Sequence, residues 1–214
     1  MRSSPPPHPP WVAPRPPPPN LRRVSSPGEE LVDLYDPADD AGRVTGRAPR
    51  REVRARNLPH AATGVLLRDG TPGGRGRVLV HRRTTTKDLN PGAHDCLAGG
   101  VVDAGEDPLD AAHRELREEL GIDAELRPVL TRWYRDDTAH YLAHVYEARW
   151  DGRPLTLQPS EVARAWWEDT ATLRRRLEDP GWPFVPDTRA LLAAWPGWWE
   201  DPHPDATAGR TPSA

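Results

Sequence analysis

Proline placement sets the first limit on what this chain can fold into. Ten of the first nineteen residues are Pro, out of 27 in 214 residues. Proline lacks an amide proton and holds φ at about −65°, so such a run can neither continue a helix nor sit inside a sheet. Its backbone favours polyproline II, and it buries too little to offset the entropy of ordering. Residues 1–28 are therefore expected to be a solvated tail, with a proline-motif ligand role as the alternative. This is also why the hydrophobic fraction, 36%, is low for a globular chain. The length that remains still suffices for one domain with a real core.

The net charge of −3 argues against a surface that coats nucleic acid, so no nucleic-acid polymer is expected as a partner. An anionic small molecule stays open, because a bound divalent cation inverts the local field. Cys96 is the only cysteine. That excludes a disulfide framework and a cysteine zinc site within one chain. No run approaches roughly eighteen apolar residues, and the proline-rich start has no apolar signal core. No membrane span is expected, and the cytoplasm is the default location.

Punctuation by Gly, Pro and Asp divides the rest. Leu31–Tyr35 and Arg43–Gly46, on either side of an Asp-Pro-rich turn, suggest a hairpin that could support a homodimer. Arg50–Asn57 is a charged stretch of one or two helical turns. Ala61–Leu67, Val78–Val80, Leu126–Tyr134, Tyr141–Trp150 and Val162–Trp167 read as strands. Thr172–Leu177 and Thr188–Trp195 read as helices. A better-marked helix follows Asp107, a plausible N-cap, with Pro108 at its first position and Gly121 at its end. Leu109, Ala112, Leu116 and Leu120 make its buried stripe. Strands mixed with a few helices indicate α/β (α+β) architecture across residues 29–198, with a second tail at 199–214.

The chemistry concentrates between Gly100 and Ile122. Glu115 and Glu119 are four residues apart and share a helix face, with Glu118 flanking it. Crowded carboxylates repel one another at neutral pH unless protons or a cation intervene. A hard divalent ion such as Mg²⁺ or Mn²⁺ would relieve that conflict. Gly99 and Gly100 permit close backbone approach to an anion. Arg114 is suited to holding a carboxylate in place, and Glu106 is its nearest candidate partner.

These residues resemble the Nudix box, Gly-x5-Glu-x7-Arg-Glu-U-x-Glu-Glu-x-Gly-U with U aliphatic. All nine specified positions match: Gly100, Glu106, Arg114, Glu115, Leu116, Glu118, Glu119, Gly121 and Ile122. The resemblance implies an α/β/α sandwich with a mixed central sheet, here extended by an N-terminal β-hairpin. It also implies hydrolysis of a small-molecule diphosphate substrate. Glu115 and Glu119 would be the principal metal ligands and Glu118 an assistant, all three catalytic. One of them, Glu115 for example, would alternatively orient or deprotonate the water. Glu106 and Arg114 would support them, and Gly100 would contact substrate through its backbone.

The flanks, Glu30–Asp36, Leu58–Ala62 and Val78–Thr84 through Lys87 and Pro91-Gly92, are similar to the branch holding isopentenyl-diphosphate isomerases and their hydrolase-like relatives. An isomerase would carry Cys-Gly-His before the box. Alignment puts Gly99 and Val101 at its cysteine and histidine, and Cys96 falls three residues early. Hydrolysis is therefore preferred, with the isomerase and a non-catalytic interaction protein as alternatives. Arg82, Arg83 and Lys87 are candidates for substrate phosphates. Further candidates are His60 near the pocket, Glu161 as a late acid, Trp166 or Trp167 as a base stack, and His140 or His144 as a general base. Cys96 is read as structural.

Overall fold

The computed structural model describes residues 28–39 and 42–200. The tail expectations fall almost wholly outside these residues. The elements in chain order are β1 (Leu31–Tyr35), β2 (Val44–Pro49), α1 (Arg50–Ala55), β3 (His60–Asp69), β4 (Arg77–Arg83), β5 (His94–Asp95) and β6 (Leu97–Ala98). They continue as α2 (Pro108–Leu120), β7 (Leu126–Arg135), β8 (His140–Trp150), β9 (Val162–Asp169), α3 (Thr170–Leu177) and α4 (Pro186–Ala194).

β3 is the spine. Its ten residues are buried almost end to end, as a strand covered on both faces must be. It runs parallel to β8 from His60 opposite Tyr141 to Asp69 opposite Trp150. β7 closes that side antiparallel to β8. On the other side β3 meets β1, β4 and β6 at successive points, and β9 pairs antiparallel with β4. β1 joins β2 to the sheet, so the N-terminal hairpin is an edge extension.

Alternation along the strands sorts the core into two layers. Val65, Leu67, Leu79 and Tyr146 pack with Ala112, Leu116 and Leu120 of α2. Leu66, Val78, Val80 and Val145 pack on the other face with Leu173 of α3, Leu191 and Leu192 of α4, and Trp195 and Trp198. The result is an α/β/α sandwich around a mixed sheet.

Three departures from the expected elements have local causes. β2 runs on to Pro49 and starts one residue later than expected, with a register shift at Leu34/Tyr35. Arg47 Nε donates to Asp33 Oδ1 at 2.7 Å and holds the extra length in place. β5 and β6 are two residues each, too short to show a period. They exist because β4 and β3 offer free edges. The folded part also includes Trp199, whose carbonyl accepts from Thr170 Oγ1 at 3.0 Å. Among the described residues, no helix is long and apolar enough to cross a membrane.

Candidate active site

α2 is positioned by its ends. The Asp107 side chain accepts from the Leu109 amide at 2.8 Å, and Gly121 ends the helix at φ 69°. Burying the Ala112–Leu116–Leu120 stripe rotates Glu119 inward, where it is 6% exposed. Glu115 is turned the same way, with its side chain 13% exposed, whereas Glu118 is 47% exposed. The structure thus brings Glu115 and Glu119 together and leaves Glu118 at the rim.

Arg114 organises the acids. Its Nε and Nη2 donate to the two carboxylate oxygens of Glu106, both at 2.9 Å. Its Nη1 donates to Glu115 Oε1 at 2.5 Å and lies 3.4 Å from Glu118 Oε2. Glu106 also accepts from the Asp103 amide at 3.1 Å, tying the loop to the helix. Burial alone would lower the Arg114 pKa, but the carboxylates of Glu106 and Glu115 outweigh it and raise it. This guanidinium is a fixed positive charge.

The glycines are demanded by close approach. A Cβ on Gly99 would sit 2.0 Å from the Thr63 carbonyl oxygen, and one on Gly100 would sit 2.6 Å from Glu115 Oε1. Gly100 therefore gives the Glu115 carboxylate its place against the backbone.

Both inward acids are held out of their ordinary range. Burial raises the Glu115 pKa, and Arg114 offsets this only in part. Burial raises that of Glu119 further, and the charges of Glu115, Asp95 and Glu161 add to it. Among the described residues nothing donates a hydrogen bond to the Glu119 carboxylate. A largely buried carboxylate facing other carboxylates is costly and is a functional-site candidate. Among the described residues no three His, Cys, Asp or Glu side chains form a ready-made metal site, and Glu118 stands apart from the two inward acids with its side chain 47% exposed.

Beside Gly99 and Gly100 lies a cavity of about 160 Å³ lined in part by Arg50, Arg54, Arg83, Lys87, Asp95, Tyr141 and Asp187. Lys87 pairs with Glu161, placing both close to the electrostatic surroundings of Glu119. Arg83 donates to the Leu89 carbonyl at 3.2 Å. Arg82 does not reach the cavity. It lies in a separate groove with Arg164 and Trp166, because neighbouring strand residues point to opposite faces. The same alternation separates Trp167, which packs on Trp150 at 4.9 Å, from Trp166, and neither lines the cavity.

His60 lines the cavity with its Nδ1 2.9 Å from the Leu58 carbonyl, whereas His140 and His144 do not line it. Arg50 and Arg54 are cavity residues that were not singled out from the sequence. Their spacing of four on one short helix was the available signal. Asp95, Tyr141 and Asp187 left no local signal, since three separate elements deliver them.

Fold and site together define a phosphoanhydride hydrolase of the Nudix class. The chain belongs to the Nudix hydrolase family: the NUDIX domain model matches residues 58–188. An uncharacterised Nudix hydrolase, orf19, of Rhodococcus erythropolis is 46% identical over 179 residues, covering 78% of this chain and 92% of its own. The uncharacterised Nudix hydrolase YfcD of Escherichia coli K12 is 34% identical over 174 residues, covering 81% and 89%. Among solved structures, the DR0079 protein of Deinococcus radiodurans superimposes with a TM-score of 0.64 at 26% identity. That match covers 78% of this chain and 99% of the other.

Proposed function

We propose that this chain is a Mg²⁺- or Mn²⁺-dependent hydrolase that cleaves the diphosphate linkage of a nucleotide-like or other organic diphosphate. The single observation behind this reading is the pairing of two inward carboxylates, Glu115 and Glu119. Both are raised in pKa by burial, and one has no hydrogen-bond donor among the described residues.

The donor set fits such an ion. Mg²⁺ keeps several waters and shares its sphere with substrate phosphates, so two protein carboxylates suffice. Glu115 and Glu119 would hold it, and Glu118 would reach it only by leaving Arg114. When bound, the ion would neutralise the diphosphate and lower the pKa of an attacking water. The remaining work falls to the chain itself. Glu106 aims Arg114, and Arg114 aims Glu115. Gly100 keeps backbone and carboxylate close. Arg83 and Lys87 offer positive charge to the phosphates, and Arg50 and Arg54 widen that cationic wall. Either inward glutamate is placed to take a proton from water at its carboxylate.

Double-bond migration finds less support. It needs a reactive thiol, and Cys96 is 2% exposed within the apolar core, with burial pushing its pKa up. The interaction-protein reading rests on residues 1–28, and unchanged activity after their deletion counts against it.

The test is phosphate release from a panel of nucleoside diphosphate sugars, dinucleotides, nucleoside triphosphates and prenyl diphosphates, with and without Mg²⁺. Turnover of at least one substrate is expected to require the ion. Glu119→Gln should lower kcat on the order of a hundredfold or more. The same variant should be more stable than wild type in chelator at alkaline pH, because a carboxylate whose pKa burial raises is replaced by a neutral group. Full turnover by Glu119→Gln, or turnover in chelator, overturns the assignment.

A further inference from the structure

The part of the sheet where β4, β5 and β9 meet carries a charged cluster that the active site leaves unused. Arg82 lies directly opposite Arg164 on β9 and His94 on β5. Like charges opposed across a ladder disfavour the sheet, and nothing nearby neutralises this pair. Glu168, bonded to two of the groove's residues without lining it, is engaged by Arg176 at 3.2 Å and by Trp166 Nε1 at 3.1 Å. Arg82 donates only its Nε, to the Gly92 carbonyl at 3.1 Å. Among the described residues, no carboxylate pairs with Arg82 or Arg164.

The surroundings hold these cations in place. The Arg164 guanidinium lies 5.6 Å over the Trp166 ring, and that of Arg176 lies 5.6 Å over Trp182. His94 stacks on Trp182 at 5.1 Å and meets Trp166 edge-on at 5.6 Å. Cation–π contacts of this kind restrict the side chains before any ligand arrives, which lowers the entropy cost of binding.

We propose that this groove is a second anion site that takes the phosphate group of a small molecule, free or carried on a nucleotide. Arg82 and Arg164 grip the phosphoryl oxygens, and Arg176 stands at the flank. Two guanidinium forks on directly opposed strand positions of one groove match a tetrahedral, multiply charged oxyanion better than a planar carboxylate. The groove shares no lining residue with the cavity and does not depend on the proposed hydrolysis.

The test is calorimetric titration of the full chain in chelator with inorganic pyrophosphate and, separately, ADP, with sodium sulfate as the control anion. Pyrophosphate should bind saturably at the groove, beside any that the cavity takes. The double variant Arg82→Gln/Arg164→Gln should weaken it at least about tenfold without lowering the melting temperature. Lys87→Gln, in the cavity, should leave it intact. Equal affinity for the two ligands identifies the phosphate alone as what is read, and tighter ADP adds its rings to the recognition. The proposal falls if the double variant binds like wild type or if Lys87→Gln abolishes binding. It also falls if pyrophosphate gives no saturable binding or if sulfate binds equally well.

Discussion

Gly100 shows how a single atom sets the geometry of the acids. A methyl group there would overlap the end of a flexible side chain, Glu115, so the fold can yield while the carboxylate cannot stay in place. Gly100→Ala is expected to keep a near-normal melting temperature and to lose activity on the order of a hundredfold, the usual scale for misplacement by an ångström. Near-wild-type kcat would show that the close approach is unimportant.

His81 makes a different point at the same scale. It is 3% exposed, and burial, aided by Arg83 and Lys87, pushes its pKa down to about 3. The unfolded chain takes a proton on this ring near its ordinary value of 6.5, but the folded chain does not until far lower pH. Below about 6.5 the unfolded state therefore binds more protons, and stability falls with falling pH, at about 1.4 kcal/mol per unit for this group. His60, His113, His140 and His144 are lowered in the same direction. Denaturant melts at pH 7 and pH 5 should show a marked loss. His81→Leu should shrink that loss, and an unchanged difference would remove His81 from the account.

Between elements, the parallel pairing of β3 with β8 holds a buried ionic link. Glu147, 0% exposed, accepts from Arg68 Nε at 2.9 Å and from Arg127. Arg68 and Arg127 are themselves 2% and 3% exposed. The link is well bonded, so the group left behind governs the effect of a mutation. Glu147→Ala takes the shared carboxylate from two buried guanidinium groups and is expected to cost about 3–5 kcal/mol in denaturant unfolding. A loss below about 1 kcal/mol would mean that water reaches the arginines.

At the level of the whole molecule, the C-terminal segment completes the layer behind the sheet. Trp195 and Trp198 are 7% and 3% exposed, and the Trp198 carbonyl accepts from Arg68 Nη2 at 2.7 Å. Losing a buried aromatic costs about 3–5 kcal/mol, against a total stability of about 5–15 kcal/mol. A chain cut after Ala194 is therefore expected not to fold, as read by loss of a cooperative melt. A cooperative transition close to wild type would show that this segment is dispensable.

How much of this was legible beforehand follows the range of the interactions. α2, its Asp107 cap, its Gly121 stop and the shared face of Glu115 and Glu119 all depend on neighbours within about four residues, so the amino-acid order alone determined them. So did the family, because the nine box positions lie within 23 residues. Three things were set by contacts between distant segments. Glu118 turned outward because the Ala112–Leu116–Leu120 stripe chose which side of α2 is buried. Arg82 parted from Arg83 because strand alternation, once β4 was placed in the sheet, sent one to the cavity and the other to the outer groove. The cavity wall also drew Asp95, Tyr141 and Asp187 from three elements. Local spacing carries the identity of the reactive groups, but which way they face is decided only when apolar surfaces on remote segments bury one another.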